Sequence, residues 1–248
     1  MPEVISVPAL AAHCGNDPFV LWVAQGLGGR GRAWVGEDAA LAAAPEISTR
    51  DRVAVWARSP EAAAALAAEV LPQLPRSFRP FGERPLIDAV AAAVPGLEVV
   101  GRFGWMDGTA APEPGAAEWL DGDADAAGIG SVLDSAYPTS YAYPGVAGVE
   151  RWAGVRADGG RLLAVGAQAW SSPQVALLSG IAVHPDARGR GLSHHVCSVL
   201  TAAALTRHAA VGLMVEDWNT PARRVYERLG LRHRPVSAAA FDQPPTAG

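Results

Sequence analysis

The stretch that decides the fold is residues 175–195, which read VALLSGIAVHPDARGRGLSHH. It begins as a nearly continuous apolar run through Val183, the pattern of a central strand buried on both faces. Pro185 ends that strand, and residues 188–193 then turn the chain into a helix. The helix has apolar residues at 3.6-residue spacing, which predicts one buried face: Leu192, Val196, Val199, Leu200 and Ala203.

A strand, an Arg/Gly turn and a helix in this order predict an anion-binding site. The first amides of a helix have no internal partner and lie at the positive end of its dipole. Gly189 and Gly191 have no Cβ to obstruct a phosphate, and Arg188 and Arg190 add charge and forked donors. A plain helix start with two exposed arginines is the alternative. No Gly-Lys-Ser/Thr follows the glycines, which argues against a nucleoside triphosphate.

Two blocks of the sequence resemble motifs of the GCN5-related N-acetyltransferase (GNAT) family. Arg188-x-x-Gly191-x-Ser193 resembles the pyrophosphate loop of that family, Gln/Arg-x-x-Gly-x-Gly/Ala, with Ser193 as a small departure. The preceding residues 181–185 look like its fourth strand. A first block alone would be a weak signal.

The second block follows at a plausible distance and in the right order. Asn219-x-x-Ala222-x-x-x-Tyr226 and then residues 229–231 are similar to the helix after the family's fifth strand. The resemblance covers roughly residues 116–241, and its C-terminal block resembles the FR47-like branch of the family.

The resemblance implies an α/β (α+β) fold with a mixed, mostly antiparallel sheet and a splay between strands 4 and 5. Strand and helix signals before about Val100 are consistent with a degenerate half of the same fold, and no pyrophosphate loop occurs there. Residues 107–117 are rich in Gly, Pro and Ala, as a linker would be. We therefore predict a smaller, non-catalytic α/β domain (1–106), a linker (107–117), a GNAT acetyltransferase domain (118–241) and a loose tail (242–248).

Two helix starts are also predicted from capping residues. Asp121 or Asp123 should cap a helix that runs towards Tyr137, and Thr220 should cap the last helix, with Pro221 in its first turn.

The resemblance implies acetyl-CoA as co-substrate, with its pyrophosphate on the loop amides and its pantetheine on the backbone of Ile181 and Val183. Tyr226 is the family's usual general acid, and its phenol (pKa about 10) can donate to a thiolate whose acid has a pKa of about 8.5. Tyr226 as a core aromatic and Asn219 as a turn residue are the alternatives. The expected donor-binding residues are Ile181, Ala182, Val183, Arg188, Gly189, Arg190, Gly191, Leu192, Ser193, His194, Asn219 and Tyr226.

The acceptor side and the general base are less well defined. An aromatic loop after the helix that ends near Tyr137 corresponds to a loop that lines the acceptor pocket in the family, although its aromatics could equally pack on a domain interface. Many relatives have a Glu on the fourth strand, and residues 177–180 offer no carboxylate. A water relay or an already neutral amine would remove the need for a base. The candidates for the acceptor side are Tyr137, Tyr141, Ser179 and Glu216.

Five residues near the two central strands are candidate bases or phosphate contacts. Glu216, Asp217 and His184 follow the two central strands, where surface or turn roles are the alternative. Either His194 or the adjacent His195 could flank a phosphate.

Composition narrows the class of protein. A net charge of −5 argues against a nucleic-acid binder. Cys14 and Cys197 fit no metal spacing, which predicts no metal and free thiols in a reducing compartment. No run of 18 apolar residues occurs, so we expect no membrane contact and a cytoplasmic location.

These features together predict an acyl-CoA-dependent N-acyltransferase, with acetyl as the expected group. It would act on the primary amine of a small molecule by direct attack on the thioester. The alternatives are a CoA-binding sensor or partner-binding module with little or no turnover, and a purely structural protein. A homodimer is left open.

Overall fold

Side-chain caps set where several helices begin. Ser6, Asp17 and Ser59 each accept a hydrogen bond from an amide two or three residues on, and a proline follows in the first turn. The computed structural model describes residues 3, 4 and 6–242. The helices are α1 (Val7–His13), α2 (Pro18–Val23), α3 (Pro60–Val70), α4 (Arg84–Ala93), α5 (Ala126–Ala136), α6 (Leu192–Ala204) and α7 (Thr220–Arg228).

The strands alternate with these helices along the chain. They are β1 (Glu3–Val4), β2 (Arg32–Val35), β3 (Ala39–Ile47), β4 (Arg50–Ala57), β5 (Arg79–Glu83), β6 (Leu97–Gly108), β7 (Glu118–Leu120), β8 (Val149–Arg156), β9 (Leu162–Ala169), β10 (Val175–Val183), β11 (Ala210–Glu216) and β12 (Arg232–Phe241). The chain divides into two compact units. Unit 1 comprises residues 1–105 and 234–248, and unit 2 comprises residues 106–233.

Unit 2 is built on five strands in the order β11-β10-β9-β8-β7. Neighbours from β7 to β10 are antiparallel, whereas β10 and β11 are parallel. The apolar face of α6 packs on this sheet through Val196, Val199 and Leu200, as its periodicity predicts. Ala203 of the predicted stripe is only half-buried, whereas Cys197 and Ala204 are fully buried, so the buried face is wider than the stripe and shifted at its C-terminal end.

Unit 1 has the strand order β1-β2-β3-β4-β5-β12-β6. Strands β1 to β4 are antiparallel neighbours, β4 and β5 are parallel, and β12 pairs with β5 in the antiparallel sense. Aromatic side chains fill its centre, with the Phe19 ring 4.5 Å from the Phe81 ring and 5.2 Å from the Trp105 ring. In each unit, three antiparallel strands lead into a parallel pair, and a helix follows each strand of that pair.

The predicted domain boundaries differ from these units in two places. Residues 234–241 of β12 were predicted to lie in the acetyltransferase domain, but they complete the sheet of unit 1, where Val236 pairs with Glu83. The start of the predicted linker, residues 107–108, is the end of β6. The linker falls within unit 2, where the Ala116 amide donates to His195 Nδ1 at 3.3 Å. Most of the predicted tail, residues 243–248, lies outside the described residues.

Both predicted helix caps are off by a few residues. The N-cap of α5 is Asp125, while the Asp121 carboxylate accepts from the Asp123 and Ala124 amides in the preceding turn. The N-cap of α7 is Asn219, not Thr220. The cause is the same in both cases: several capping residues stand side by side, and the path of the chain decides which one is used. None of the described helices is long and apolar enough to cross a membrane.

Candidate active site

The parallel strands β10 and β11 separate halfway along their length. Their pairing runs from Val175↔Ala210 to Leu178↔Leu213 and stops there, although both strands continue. Among the described residues, the 179–183 segment of β10 therefore has no strand partner on its β11 side. The predicted splay between these strands is confirmed. The backbone of Ile181 and Val183 therefore faces an opening, where a ligand with peptide-like amides could hydrogen-bond to β10 as an added strand does.

A β-bulge lies at the start of this opening. The register between β10 and β9 shifts between Ser179 and Ala182. Gly180 adopts φ +61°, and a Cβ there would lie 3.2 Å from the Ala142 Cβ and from the Trp152 ring. The loop after α5 thus packs against β10 at the bulge. Bulges of this kind often re-aim a strand beside a binding site.

The turn between β10 and α6 presents unpaired amides. Gly189 and Gly191 take left-handed φ values of +77° and +74°, and Gly191 is the N-cap of α6. In the part of the chain that the structure describes, the amides of residues 189–193 donate to no protein acceptor. Arg188 and Arg190 are exposed beside them. This arrangement has the amides, dipole and cations that a phosphate needs.

The three histidines near the turn have different surroundings. His184 Nδ1 accepts from the Asp186 amide at 3.3 Å, so His184 caps a short 3₁₀ turn. His195 Nδ1 accepts from the Ala116 amide and holds that segment on α6. His194 Nδ1 is buried with no hydrogen-bond partner. Of the three, His194 is the one with an unused polar atom next to the turn.

Tyr226 is buried on α7, with 6% of its surface exposed. Burial raises the pKa of its phenol well above the ordinary value, and the neighbouring Cys197 and Tyr137 raise it further. Burial also raises the pKa of the Cys197 thiol to about 12. Tyr226 is therefore a neutral phenol at physiological pH, which is the protonation state of an acid. The alternative interpretation, a core aromatic, is correct for its ring, which packs in the core of unit 2.

Three of the predicted acceptor-side residues lie within electrostatic reach of each other. Burial raises the pKa of Tyr137, and Glu216 and Tyr141 add to that effect. Both of these tyrosines keep exposed surface, 39% for Tyr137 and 42% for Tyr141. Because Tyr137 also acts on Tyr226, the buried phenol and this exposed group form one electrostatic cluster. Ser179 lies half-buried at the bulge.

Asn219 has a local structural partner. Its side-chain Oδ1 accepts from the Ala222 amide at 3.2 Å and caps α7, ahead of Tyr226. This hydrogen bond agrees with the alternative interpretation of Asn219 as a turn residue. A cap at this position fixes where Tyr226 lies along the helix.

Sequence reasoning missed two contributors to the site. Gly180 carried an available signal, because a glycine inside an apolar strand indicates a bulge. Cys197 carried none, since a lone cysteine on an apolar helix face is usual in a core. Among the described residues, no group of three or more His, Cys, Asp or Glu side chains is arranged so that it could hold a metal ion.

Comparison with known proteins finds a family that is similar to part of this chain. The family described as "FR47-like protein" matches residues 159–239, which span β9 to β12 and include the turn and Tyr226. The resemblance seen in the sequence is confirmed. No curated protein matches the chain.

Solved structures match the chain over nearly its whole length. A GCN5-related N-acetyltransferase from Kribbella flavida has a TM-score of 0.58 at 14% identity, covering 98% of this chain and 99% of that one. One from Sphaerobacter thermophilus has a TM-score of 0.57 at 16% identity, covering 98% and 96%. A GCN5-related N-acetyltransferase-like protein from Streptococcus suis 89/1591 has 0.54 at 12% identity, covering 95% and 98%. At such identities the likeness shows the fold.

Proposed function

We propose that this protein is an acyl-CoA-dependent N-acyltransferase, because residues 159–239 match the family described as "FR47-like protein" and a solved GCN5-related N-acetyltransferase shares the fold of the chain. Acetyl-CoA is the proposed donor, and the primary amine of a small molecule is the proposed acceptor. The observation that carries the proposal is the β10–α6 turn, whose unpaired amides of residues 189–193 lie next to the opening between β10 and β11. A two-part site of this kind fits a donor with a pyrophosphate at one end and an extended amide chain at the other.

The donor would bind mainly through backbone groups. Its pyrophosphate would accept from the amides of the turn, with Arg188 and Arg190 as counter-charges and His194 beside them. Its pantetheine amides would pair with the free edge of β10 at Ile181 and Val183, as an added strand does. This places the thioester near the bulge at Ser179.

In the proposed reaction, the amine nitrogen attacks the thioester carbonyl carbon and the carbon–sulfur bond breaks. The products are an amide and CoA, whose thiolate takes a proton while the former ammonium loses one. Tyr226 would supply the proton to sulfur. In water the transfer from a phenol to a thiolate is uphill by about 1.5 pKa units, or about 2 kcal/mol.

Burial acts on both partners of that transfer. It raises the pKa of Tyr226 and also that of the neighbouring Cys197 thiol, the latter to about 12. A CoA thiolate formed beside them would be desolvated in the same way, so its basicity would rise together with that of the phenolate. In the proposed reaction, a buried, neutral Tyr226 acts as the general acid toward such a thiolate.

The proposed acceptor entrance is lined by Tyr137, Tyr141 and Glu216. Two exposed aromatic faces and one carboxylate suit an amine that arrives as a cation. Because no carboxylate occurs in residues 177–180, the proton would leave the amine through water or Glu216. The same absence is the one observation that favours the second candidate function, a CoA-binding module with little turnover.

Free-thiol release from acetyl-CoA, measured across a panel of amines, tests the proposal. Amine-dependent release with formation of the matching amide is the expected result. CoA binding without release for any amine class would instead support the binding module. Absence of CoA binding would contradict both.

A further inference from the structure

Unit 1 contains an enclosed pocket at the carboxyl ends of its own parallel strands. The pairing of β4 and β5 ends at Val55↔Gly82, and the pocket lies beyond it, lined by Val55, Trp56, Glu83 and Leu86 among others. Its free volume is about 30 Å³, enough for one or two water molecules. The carboxyl ends of parallel strands are where open α/β sheets bind ligands.

A side chain of the protein itself, Arg234, forms part of the pocket wall and leaves only this volume free. The Arg234 guanidinium, from β12, donates to Asp17 Oδ2 through Nη1 at 2.6 Å and to Asp17 Oδ1 through Nη2 at 2.9 Å. Glu83 Oε1 lies 3.9 Å from Nη1, and the Phe19 ring centroid lies 5.8 Å from Cζ. Paired donors on a carboxylate and an aromatic face are the features that recognise a guanidinium.

The walls around this guanidinium are held by other contacts. Asp17 Oδ1 also accepts from the Phe19 amide at 2.9 Å, because Asp17 is the N-cap of α2. The Phe19 ring packs edge-on against Phe81 and Trp105. Carboxylate and ring would therefore stay in place without Arg234. Together with Glu83 they form a pre-shaped receptor of net negative charge.

The same pocket is unsuited to a phosphate. Residues 58–59 join β4 to α3 directly, and the Ser59 hydroxyl accepts from the Ala62 amide at 3.2 Å. No glycine lies in that connection. The helix after β5 begins at a carboxylate, since Glu83 is the N-cap of α4. Two carboxylates and a satisfied helix start repel the anion that the turn of unit 2 would attract.

We infer that the pocket of unit 1 is a guanidinium-binding site that Arg234 occupies from within, and that this internal occupant closes unit 1 to outside ligands. The inference concerns a different unit from the proposed active site and does not depend on acyltransferase activity. The ligand class it assigns is a planar guanidinium, which can form two parallel bonds to Asp17.

Substitution of the occupant followed by chemical rescue tests the inference. Arg234→Ala opens the pocket and leaves Asp17 without its cation, so we expect the melting temperature to fall by roughly 5 °C or more. Millimolar methylguanidinium, at ionic strength matched with sodium chloride, should restore much of that loss in a saturable way. Methylammonium should restore less, because it cannot form the paired bonds.

A matched control exists in the same unit. Arg32 also makes a two-point contact, with Glu3 at 2.9 and 3.0 Å, and lies 4.7 Å from the Trp34 ring centroid, but both side chains of this ion pair are about 40% exposed. Neither Arg32→Ala nor wild type should gain stability from methylguanidinium. Equal rescue of Arg32→Ala and Arg234→Ala, or no rescue of Arg234→Ala, would overturn the inference.

A second variant covers the case in which Arg234→Ala does not fold. Arg234→Lys keeps a long stem and a positive charge but lacks the planar fork. It should melt below wild type, since only one bond to Asp17 can form at a time. A melting temperature equal to that of wild type would show that the pocket has no preference for a guanidinium and would contradict the inference.

Discussion

The parallel strand pair of unit 1 and that of unit 2 have the same topology but differ at the point where a ligand would bind. After β10, residues 184–191 form a long turn with two left-handed glycines and unpaired amides. After β4, residues 58–59 form a short turn capped by Ser59. Counted from the helix N-cap, the position of Tyr226 in α7 corresponds to Val90 in α4, a fully buried apolar residue.

The difference teaches that the strand arrangement alone does not make a donor site. Both pairs end in an opening followed by helices, so both offer the same backbone framework. Among the described residues, the amides of the turn after β10 have no acceptor, and α7 of the same unit carries the Tyr226 phenol. In unit 1 the Ser59 hydroxyl caps α3, and the Arg234–Asp17 ion pair lies at the opening. We therefore expect function to depend on a few residues at the ends of the strands.

The first and largest expected contrast is in stoichiometry. We predict one CoA bound per chain, because the turn after β10 in unit 2 has unpaired amides, whereas the short connection after β4 in unit 1 is capped by Ser59. Isothermal titration calorimetry with CoA measures this directly. Two equivalents of CoA per chain would show that the parallel strand pair of unit 1 also binds CoA, and the two units would then not differ in this respect.

The second contrast concerns the phenol that only unit 2 has. Tyr226→Phe keeps the ring and its packing and deletes the proton donor, so kcat should fall on the order of 10²-fold while KM for acetyl-CoA changes little. Steady-state kinetics with a good amine acceptor provide the measurement. Tyr143→Phe, which loses a phenol that donates to Asp134 instead, is the control and should keep its kcat. If Tyr226→Phe keeps the wild-type kcat, Tyr226 is a packing residue and not the general acid.

A smaller effect is expected at the turn itself. Gly191→Asp places a side chain and a negative charge at a left-handed position beside the pyrophosphate, so CoA affinity should fall at least about tenfold, or about 1.4 kcal/mol. Gly160→Asp is the control, since Gly160 has φ +80° and open space but lies in the β8–β9 hairpin. Calorimetric titration of both folded variants compares them. If the two lose affinity equally, the effect is backbone strain and not the loss of an anion site.

The smallest expected effect is on stability at high pH. The folded-state pKa of Tyr226 is raised, so the folded protein keeps a proton that the unfolded chain loses above about pH 10. The stability linked to this phenol is fully present below that pH and falls as the pH rises above it, by about 1.4 kcal/mol per pH unit. Urea unfolding from pH 8 to 11 should therefore show a steeper decline in wild type than in Tyr226→Phe. Parallel curves would contradict the burial of the phenol.

Local pattern was sufficient for the turn at residues 188–193 and for the helix that follows it, because both depend on neighbours a few positions away. The role proposed for Tyr226 came from the resemblance to a known family. The splay between β10 and β11 followed from the resemblance to a known family. The exact helix caps were wrong because Asp121, Asp123 and Asp125, like Asn219 and Thr220, compete as caps over a few residues.

By itself the sequence determined that a strand, an Arg/Gly turn and a helix stand in the C-terminal half, because covalent neighbours decide such features. Tertiary structure alone decided three others: β12 completes the sheet of unit 1, Cys197 lies beside Tyr226, and Arg234 meets Asp17 across 217 positions of chain. Each joins residues far apart in the chain. Such contacts form only when the elements that carry them pack, and no local period or spacing encodes which elements those will be.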